Sequence, residues 1–382
     1  MTKFNSLRLL CLILFITSCK PSTYNNEAIF IDEETIELSK ALKISTIQPI
    51  QSIFKQPLKT MAWGNYYVHK TVNTRNEKPS IIITDNTHSV LREISPIQDD
   101  TPIIISEITD FTIVNNQLHI LDFSTQSIFV LDNLNSLPIE KRIAYYLYRI
   151  ETVEDKIIGY SNKKTQLING QKLTDDFLVF DFNWNLETSF SSFNSEKFKD
   201  GTVLNMSPTL VKHNNVLFYT EFWSDTVQQI NTKSVIGKQA LTFKERGLDE
   251  NTKNLAHSEI FQGLIKGKWF DQKKGVNMMA LNEDYELYSY SNGPNMAYAV
   301  KKEGNSEIFT LEGIDLSNDN RFFKPTITLN NKFRSYINPY DLVELIDSNV
   351  ELDEKNLSVA NEITSKYNQD DILICIDFTF SF

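Results

Sequence analysis

The chain has 382 residues and a formal net charge of −11; 41% of it is hydrophobic, 12% aromatic and 23% charged, with 12 Gly, 11 Pro and 3 Cys. That apolar content excludes a disordered chain, and the few Gly, Pro and Cys exclude a collagen-like chain and a disulfide scaffold. An acidic chain lacks the basic surface that a phosphate backbone requires, so nucleic acid is not an expected partner.

Residues 1–18 read as a secretory signal: Lys3 and Arg8 form a basic start, Leu9 to Ile16 is apolar, and Thr17 and Ser18 precede Cys19. The apolar run is too short to span a bilayer, and no later run is long enough. Ile16-Thr17-Ser18-Cys19 resembles the lipobox of bacterial lipoproteins. The resemblance implies cleavage before Cys19, lipidation of its thiol and acylation of the new amino group. Three acyl chains, at about 0.8 kcal/mol per buried methylene, make an essentially permanent membrane anchor. Lys20 rather than Asp follows the cysteine, which by resemblance to lipoprotein sorting implies the outer membrane, with the domain in the periplasm or at the surface. Residues 19–27 then form a polar tether, and the folded domain is expected over 28–382. With Cys11 in the signal and Cys19 lipidated, only Cys375 remains. It lies in an apolar run and reads as a small buried hydrophobe with no intrachain disulfide partner.

Beyond the tether the apolar residues come in short runs, rich in β-branched and aromatic side chains and bounded by Asn, Asp, Ser, Thr and Gly. One element recurs as Ile81-Ile82-Ile83-Thr84-Asp85, Ile128-Phe129-Val130-Leu131-Asp132, Phe177-Leu178-Val179-Phe180-Asp181 and, more weakly, Val227-Gln228-Gln229-Ile230-Asn231. These copies start 47, 49 and 50 residues apart. Ile308 to Glu312 and Ile372 to Asp377 continue the series at gaps of 81 and 64, which require insertions. A polar turn followed by a strand precedes several copies, as at Gly64 to Val68, Asn115 to Ile120, Glu154 to Ile158 and Asn214 to Tyr219. A further strand follows at Val90 to Ile94 and Leu186 to Phe190. Several antiparallel strands in about 50 residues is the size of a propeller blade.

Six copies predict an all-β, six-bladed β-propeller. Ile36 to Ile50 is left as an unmatched N-terminal strand, and pairing it with the C-terminal blade would close the ring and remove two exposed edges. Short helical excursions are expected at about 243–274 and 339–367, the second opened by Pro339. A β-sandwich with a second small domain is the competing architecture. With Ile108-Thr109-Asp110-Phe111-Thr112-Ile113, residues 116–122, Ser224-Asp225-Thr226-Val227 and the strand after Asn368-Gln369-Asp370-Asp371, the chain resembles bacterial six-bladed propeller lipoproteins of the NHL-repeat type over 28–382. These motifs describe blades, so the resemblance implies fold more than activity.

Chemistry is sparse. The histidines, His69, His88, His119, His213 and His257, include no i,i+4 pair. His119 alternates with Leu118 and Ile120 and reads as structural or surface; His213 reads as a turn residue. No Gly-x-Ser-x-Gly, phosphate loop or EF-hand appears. The doublets Glu33-Glu34, Asp99-Asp100, Asp175-Asp176 and Asp370-Asp371 read as solvated turns. No catalytic residue, metal ligand or cofactor is therefore assigned, and the only site residue is Cys19 as the lipidation site. Trp63, Trp184, Trp223 and Trp269 fall near loops or strand ends, either as platforms for a sugar or peptide or as packing between blades.

The reading is a lipid-anchored, monomeric, non-enzymatic binding or scaffold module for a glycan, peptide or envelope protein, working through the mouth of the ring. The alternative is a metal-dependent hydrolase or lactonase in the central channel, which would need three or four inward Glu, Asp, Asn or His at one height. A third reading is a purely structural envelope protein.

Overall fold

The computed structural model describes residues 28–31, 34–50, 55–72, 78–96, 105–168, 170–198, 210–221, 223–304, 307–312, 324–367 and 372–382. The signal, Cys19, the tether, Glu33, Asp99-Asp100 and Asp370-Asp371 lie outside the described residues.

The chain opens with β1 (Ile29–Phe30), β2 (Glu34–Glu37), the short helix α1 (Leu38–Ala41) and β3 (Leu42–Ile50). Six four-stranded units follow. Blade 1 is β4 (Lys59–Trp63), β5 (Tyr66–Val72), β6 (Pro79–Thr84) and β7 (Val90–Ile94). Blade 2 is β8 (Asp110–Val114), β9 (Gln117–Asp122), β10 (Ser127–Leu131) and β11 (Ile139–Arg142). Blade 3 has β12 (Arg149–Val153) and β13 (Lys156–Tyr160), then a side hairpin of β14 (Gln166–Ile168) and β15 (Gln171–Leu173), then β16 (Asp175–Phe180) and β17 (Leu186–Ser192). Blade 4 is β18 (Leu210–His213), β19 (Val216–Thr220), β20 (Thr226–Ile230) and β21 (Val235–Thr242). Helices α2 (Glu250–Lys253) and α3 (His257–Ile265) come next. Blade 5 is β22 (Lys273–Leu281), β23 (Tyr285–Asn292), β24 (Asn295–Lys302) and β25 (Ile308–Glu312). Blade 6 takes β26 (Ile327–Leu329) and β27 (Lys332–Ile337), crosses α4 (Pro339–Asp347) and α5 (Glu354–Lys366), and returns as β28 (Leu373–Phe380).

The fourth strand of blade 6 is β3, antiparallel to β28 from Leu42↔Phe380 to Ile50↔Leu373. The ring is thus a six-bladed β-propeller closed by its N-terminal segment as expected, but of the expected strand Ile36 to Ile50 only Leu42–Ile50 closes it: Ile36 and Glu37 belong to β2, and Leu38–Ala41 form α1. Before reaching blade 6, the same segment adds β1 parallel to β21 and β2 parallel to β25, so it covers the outer edges of blades 4 and 5. Helix α5 covers that of blade 6, where Asn356 Oδ1 accepts from the Ile47 amide at 3.1 Å. The outer strand of blade 2 instead carries Glu140, Lys141 and Arg142, charges that discourage edge pairing.

One repeat falls on a different strand from its counterparts. Ile81, Ile128, Phe177, Val227 and the C-terminal run all lie on third strands, but Ile308–Glu312 is the fourth strand of blade 5, whose third strand is Asn295–Lys302. The long strands of that blade and the helical insertion before it displace the spacing.

The core lies between blades. One apolar cluster fills each of the six junctions, from Val68, Ile83, Phe111 and Phe129 between blades 1 and 2 to Ile50, Ile82, Tyr336 and Cys375 between blades 6 and 1. Cys375 is buried, and burial pushes its thiol up to about 12.

The two faces of the ring differ. First and second strands meet in two-residue turns on one face; Asn115 and Asn116 both take left-handed backbone (φ 47° and 60°), as do Asn330 and Asn331 (φ 48° and 60°), the geometry of a type I′ hairpin. Among the described residues, longer connections such as 105–109, 243–272 and 338–367 emerge on the opposite face. There Asn338 Oδ1 accepts from the Asp341 amide at 2.8 Å, capping α4, with Pro339 at its first turn.

Gln48 and Cys375 are direct cross-strand partners in the closing pair. A Gln48→Cys substitution oxidised to a disulfide with Cys375 should stabilise the fold by about 2–4 kcal/mol. Urea unfolding with and without reductant checks this; no difference between the two would show that β3 is not held there.

Candidate functional site

The inner strands leave one backbone edge unpaired toward the channel, and side chains close it. Lys59 opens β4 of blade 1, Asp110 opens β8 of blade 2, and Glu151 sits in β12 of blade 3. Lys59 Nζ lies 3.3 Å from Asp110 Oδ1 and 2.5 Å from Glu151 Oε1, and donates to the Phe111 carbonyl at 2.8 Å. Asp110 Oδ2 accepts from the Ile150 amide at 2.9 Å. Deeper in, Thr152 Oγ1 donates to the Ile113 carbonyl at 2.9 Å. Three blades are therefore tied at their inner edges by one ammonium and two carboxylates.

Burial alone would push the Asp110 carboxyl up, but Lys59, then Arg149 and Lys70, outweigh it and hold it below the usual carboxylate range. Glu151 differs. Burial raises its carboxyl, Lys59 offsets only part of that, and Oε2 has no hydrogen-bond partner among the described residues. Burial lowers Lys59, yet Asp110 and Glu151 more than restore it.

Next to this network, on the face with the long connections, a cleft of about 240 Å³ lies over blades 1 to 3. Its lining includes Leu58, Lys70, Glu107, Phe123, Tyr148 and Arg149. The Phe123 and Tyr148 rings are 4.5 Å apart, and Phe123 also meets Tyr146 at 5.4 Å. Arg149 Nη1 donates to the Tyr148 carbonyl at 3.1 Å. Burial brings the Lys70 ammonium down to about 8, and its Nζ donates to the Thr109 carbonyl. The cleft thus sets aromatic faces beside two cations and one carboxylate, a set suited to stacking a ring and pairing an anion.

The tryptophans serve packing. Trp63 is buried and donates from Nε1 to the Asn116 carbonyl of blade 2 at 2.8 Å. Trp184 is buried and donates to His119 Nδ1 at 3.1 Å, joining blades 3 and 2. Trp223 meets Trp269 edge-on at 5.3 Å beneath the helical insertion. The aromatic rings that line the cleft over blades 1 to 3 are Phe123, Tyr148 and Tyr160, with Tyr146 against Phe123. The sequence offered a signal for them, a Tyr145-Tyr146-x-Tyr148 run just before an inner strand.

His119 points away from Leu118 and Ile120, as alternation requires, but it is buried against Trp184 and its pKa is lowered to about 4 by burial. His69 is buried between Thr60 and Thr84 hydroxyls at 3.0 and 3.1 Å and is lowered to about 3 by burial. His213 ends β18 beside its turn. Asp175-Asp176 is not a solvated turn: it opens β16, and Asp176 is buried against Lys163. Asp175 accepts from the Ser189 and Ser192 hydroxyls. These partners are distant in sequence, so spacing alone could not show them. Among the described residues no three His, Cys, Asp or Glu side chains converge as a metal site would require.

Comparison with known proteins agrees on architecture. No protein-family model matches the chain, and no curated protein matches it. A Bacteroides fragilis NCTC 9343 protein named a "Putative exported protein" superposes with a TM-score of 0.69 at 14% identity, over 93% of this chain and 100% of that one. A Bacteroides vulgatus ATCC 8482 member of the DUF4221 family has a TM-score of 0.47 at 10% identity, over 90% and 99%. At 14% identity the likeness to the Bacteroides fragilis protein is one of fold alone.

Lys59→Met would leave two buried carboxylates without their cation and should cost about 3–5 kcal/mol in urea unfolding, whereas Glu151→Gln should cost much less. Equal losses would contradict the bridging role of Lys59.

Proposed function

We propose that this protein is an extracytoplasmic binding module that takes one group of a glycan, peptide or envelope protein into the cleft over blades 1 to 3. The observation that carries the reading is the Phe123–Tyr148 ring pair beside Arg149 and Lys70 at the loop-bearing mouth. The cleft is smaller than the pockets of about 300–1,000 Å³ that enclose a whole small ligand, which suits a point of attachment on a larger one. Its cations favour a group that carries a carboxylate or another anion. Lys59, seated between Asp110 and Glu151, already pairs with both carboxylates and supports binding over metal-assisted hydrolysis.

A glycan array and a peptide library probed with the soluble chain test the reading. Tyr148→Ala and Arg149→Gln should each weaken the best ligand by about tenfold, the worth of one stacked ring or charge-assisted pair. Unchanged affinity in both variants would place binding elsewhere.

Membrane attachment through Cys19 at the outer membrane belongs to the same proposal. It is supported by the lipobox-like Ile16-Thr17-Ser18-Cys19 and by the absence, among the described residues, of any helix long and apolar enough to cross a bilayer. Metabolic labelling with a radioactive fatty acid should mark the protein and not Cys19→Ala; label retained in the variant would refute the anchor.

A further inference from the structure

The insertion between blades 4 and 5 turns its apolar side outward. Helix α3 buries His257, Ile260 and Gly263 at helical spacing, and Trp269 packs directly on Gly263, where a Cβ would lie 2.1 Å from the indole. The same helix exposes Phe261 (47%), Leu264 (36%) and Ile265 (71%) at i, i+3 and i+4, and Phe270 (61%) follows. These side chains have no internal role that would explain their chemistry.

Charge and chain path single out one occupant. In a chain of net charge −11, residues 264–274 carry Lys266, Lys268, Lys273 and Lys274 against one carboxylate, Asp271. Lys266 and Lys268 are exposed and flank Gly267, whose left-handed backbone (φ 69°) ends the helix. Ile265-Lys266-Gly267-Lys268-Trp269-Phe270 thus sets apolar and cationic groups together on a protruding turn, the combination that enters a bilayer interface. The chain also arrives there. Ala28, the first described residue, lines the same cleft as His257, Ile260 and Trp223. Exposed Phe30 lies on β1 beside Thr242, next to the start of the insertion.

We propose that α3 and the turn after it form a membrane-docking surface that rests on anionic lipid headgroups. This goes beyond ligand binding at the mouth and concerns the opposite side of the ring from the cleft over blades 1 to 3. Were Cys19 the anchor, the eight residues from Lys20 to Glu27 would span at most about 26–29 Å, which holds this rim close to the bilayer. Lipid phosphates would pair with Lys266 and Lys268 while Ile265 and Phe270 enter the acyl boundary. Docking would tilt the ring with its blade 4–5 rim down and leave the cleft raised.

The test uses the mature chain with Cys19→Ser, which carries no lipid, in flotation with two sets of vesicles. One set contains phosphatidylethanolamine and phosphatidylglycerol; the other contains phosphatidylcholine alone. The unmodified surface should float with the anionic vesicles about tenfold better than with the neutral ones, less so at high salt. Ile265→Glu with Phe270→Ser should lower anionic-vesicle binding about tenfold while leaving the circular dichroism spectrum and urea midpoint unchanged. Equal flotation of the double variant, or no flotation of the parent chain, would overturn the proposal. So would a stable dimer split by the same substitutions, since a second copy would then be what covers the patch. None of these outcomes bears on ligand binding at the mouth.

Discussion

Ring closure by β3 against β28 is the interaction on which the rest of the structure depends. Blades 1 to 5 each find their fourth strand in the next segment of chain, but blade 6 finds its own more than 300 residues upstream, as in the bond from the Ser45 hydroxyl to the Asp377 carbonyl (a separation of 332). The pairing buries Leu42, Ile44, Ile47 and Ile50 from one end of the domain and Leu373, Ile374, Ile376, Phe378 and Phe380 from the other. Each such side chain contributes about 1.5–3 kcal/mol of transfer free energy. Without it, blades 6 and 1 would lose the cluster that joins them, and the edge of β28 would stand open. The loop-closure entropy of so distant a pair is recovered only once the intervening blades exist. Strands β1 and β2 extend the same logic around the outside of blades 4 and 5.

A closed, rigid ring is what permits the asymmetry between its faces. Two-residue turns on one side fix strand register and leave little room for variation, while the connections on the other side are free to lengthen. The cleft, the helical insertion and α4 with α5 all grow from that second face. Within it the two sides of the ring differ in chemistry: aromatic rings and paired charges over blades 1 to 3, an apolar helix face with lysines over blades 4 and 5. A module held at a membrane by one rim and open to a ligand at the other is consistent with both.

Fold was legible in the sequence because a blade is a local object. Its turns are short and polar, its third strand needs an apolar run, and the third strands recur at nearly constant spacing through the first four blades. The pattern slipped at Ile308, where long strands and the insertion broke the period and the outer strand resembled the third. The site was far less legible. Asp176 and Lys163, or Lys59 with Asp110 and Glu151, meet across loops and blades, and nothing in their sequence neighbourhoods announces a partner. Of the two readings the sequence left for the tryptophans, packing between blades holds: Trp184 and Trp223 take left-handed backbone in tight turns (φ 64° and 59°) that direct their rings inward, although turn positions usually face water. His119 was oriented correctly by alternation, but the tryptophan that covers it comes from another blade.

Native-state hydrogen exchange tests the central claim, that β3 is an integral strand of the ring and its closing element. The β3 amides hydrogen-bonded to β28 should exchange only through global unfolding, with the same denaturant dependence as the buried amides of β9 in blade 2. Exchange of β3 by a separate, lower-energy opening while the other blades stay protected would contradict it, and would make the N-terminal segment an accessory rather than the latch.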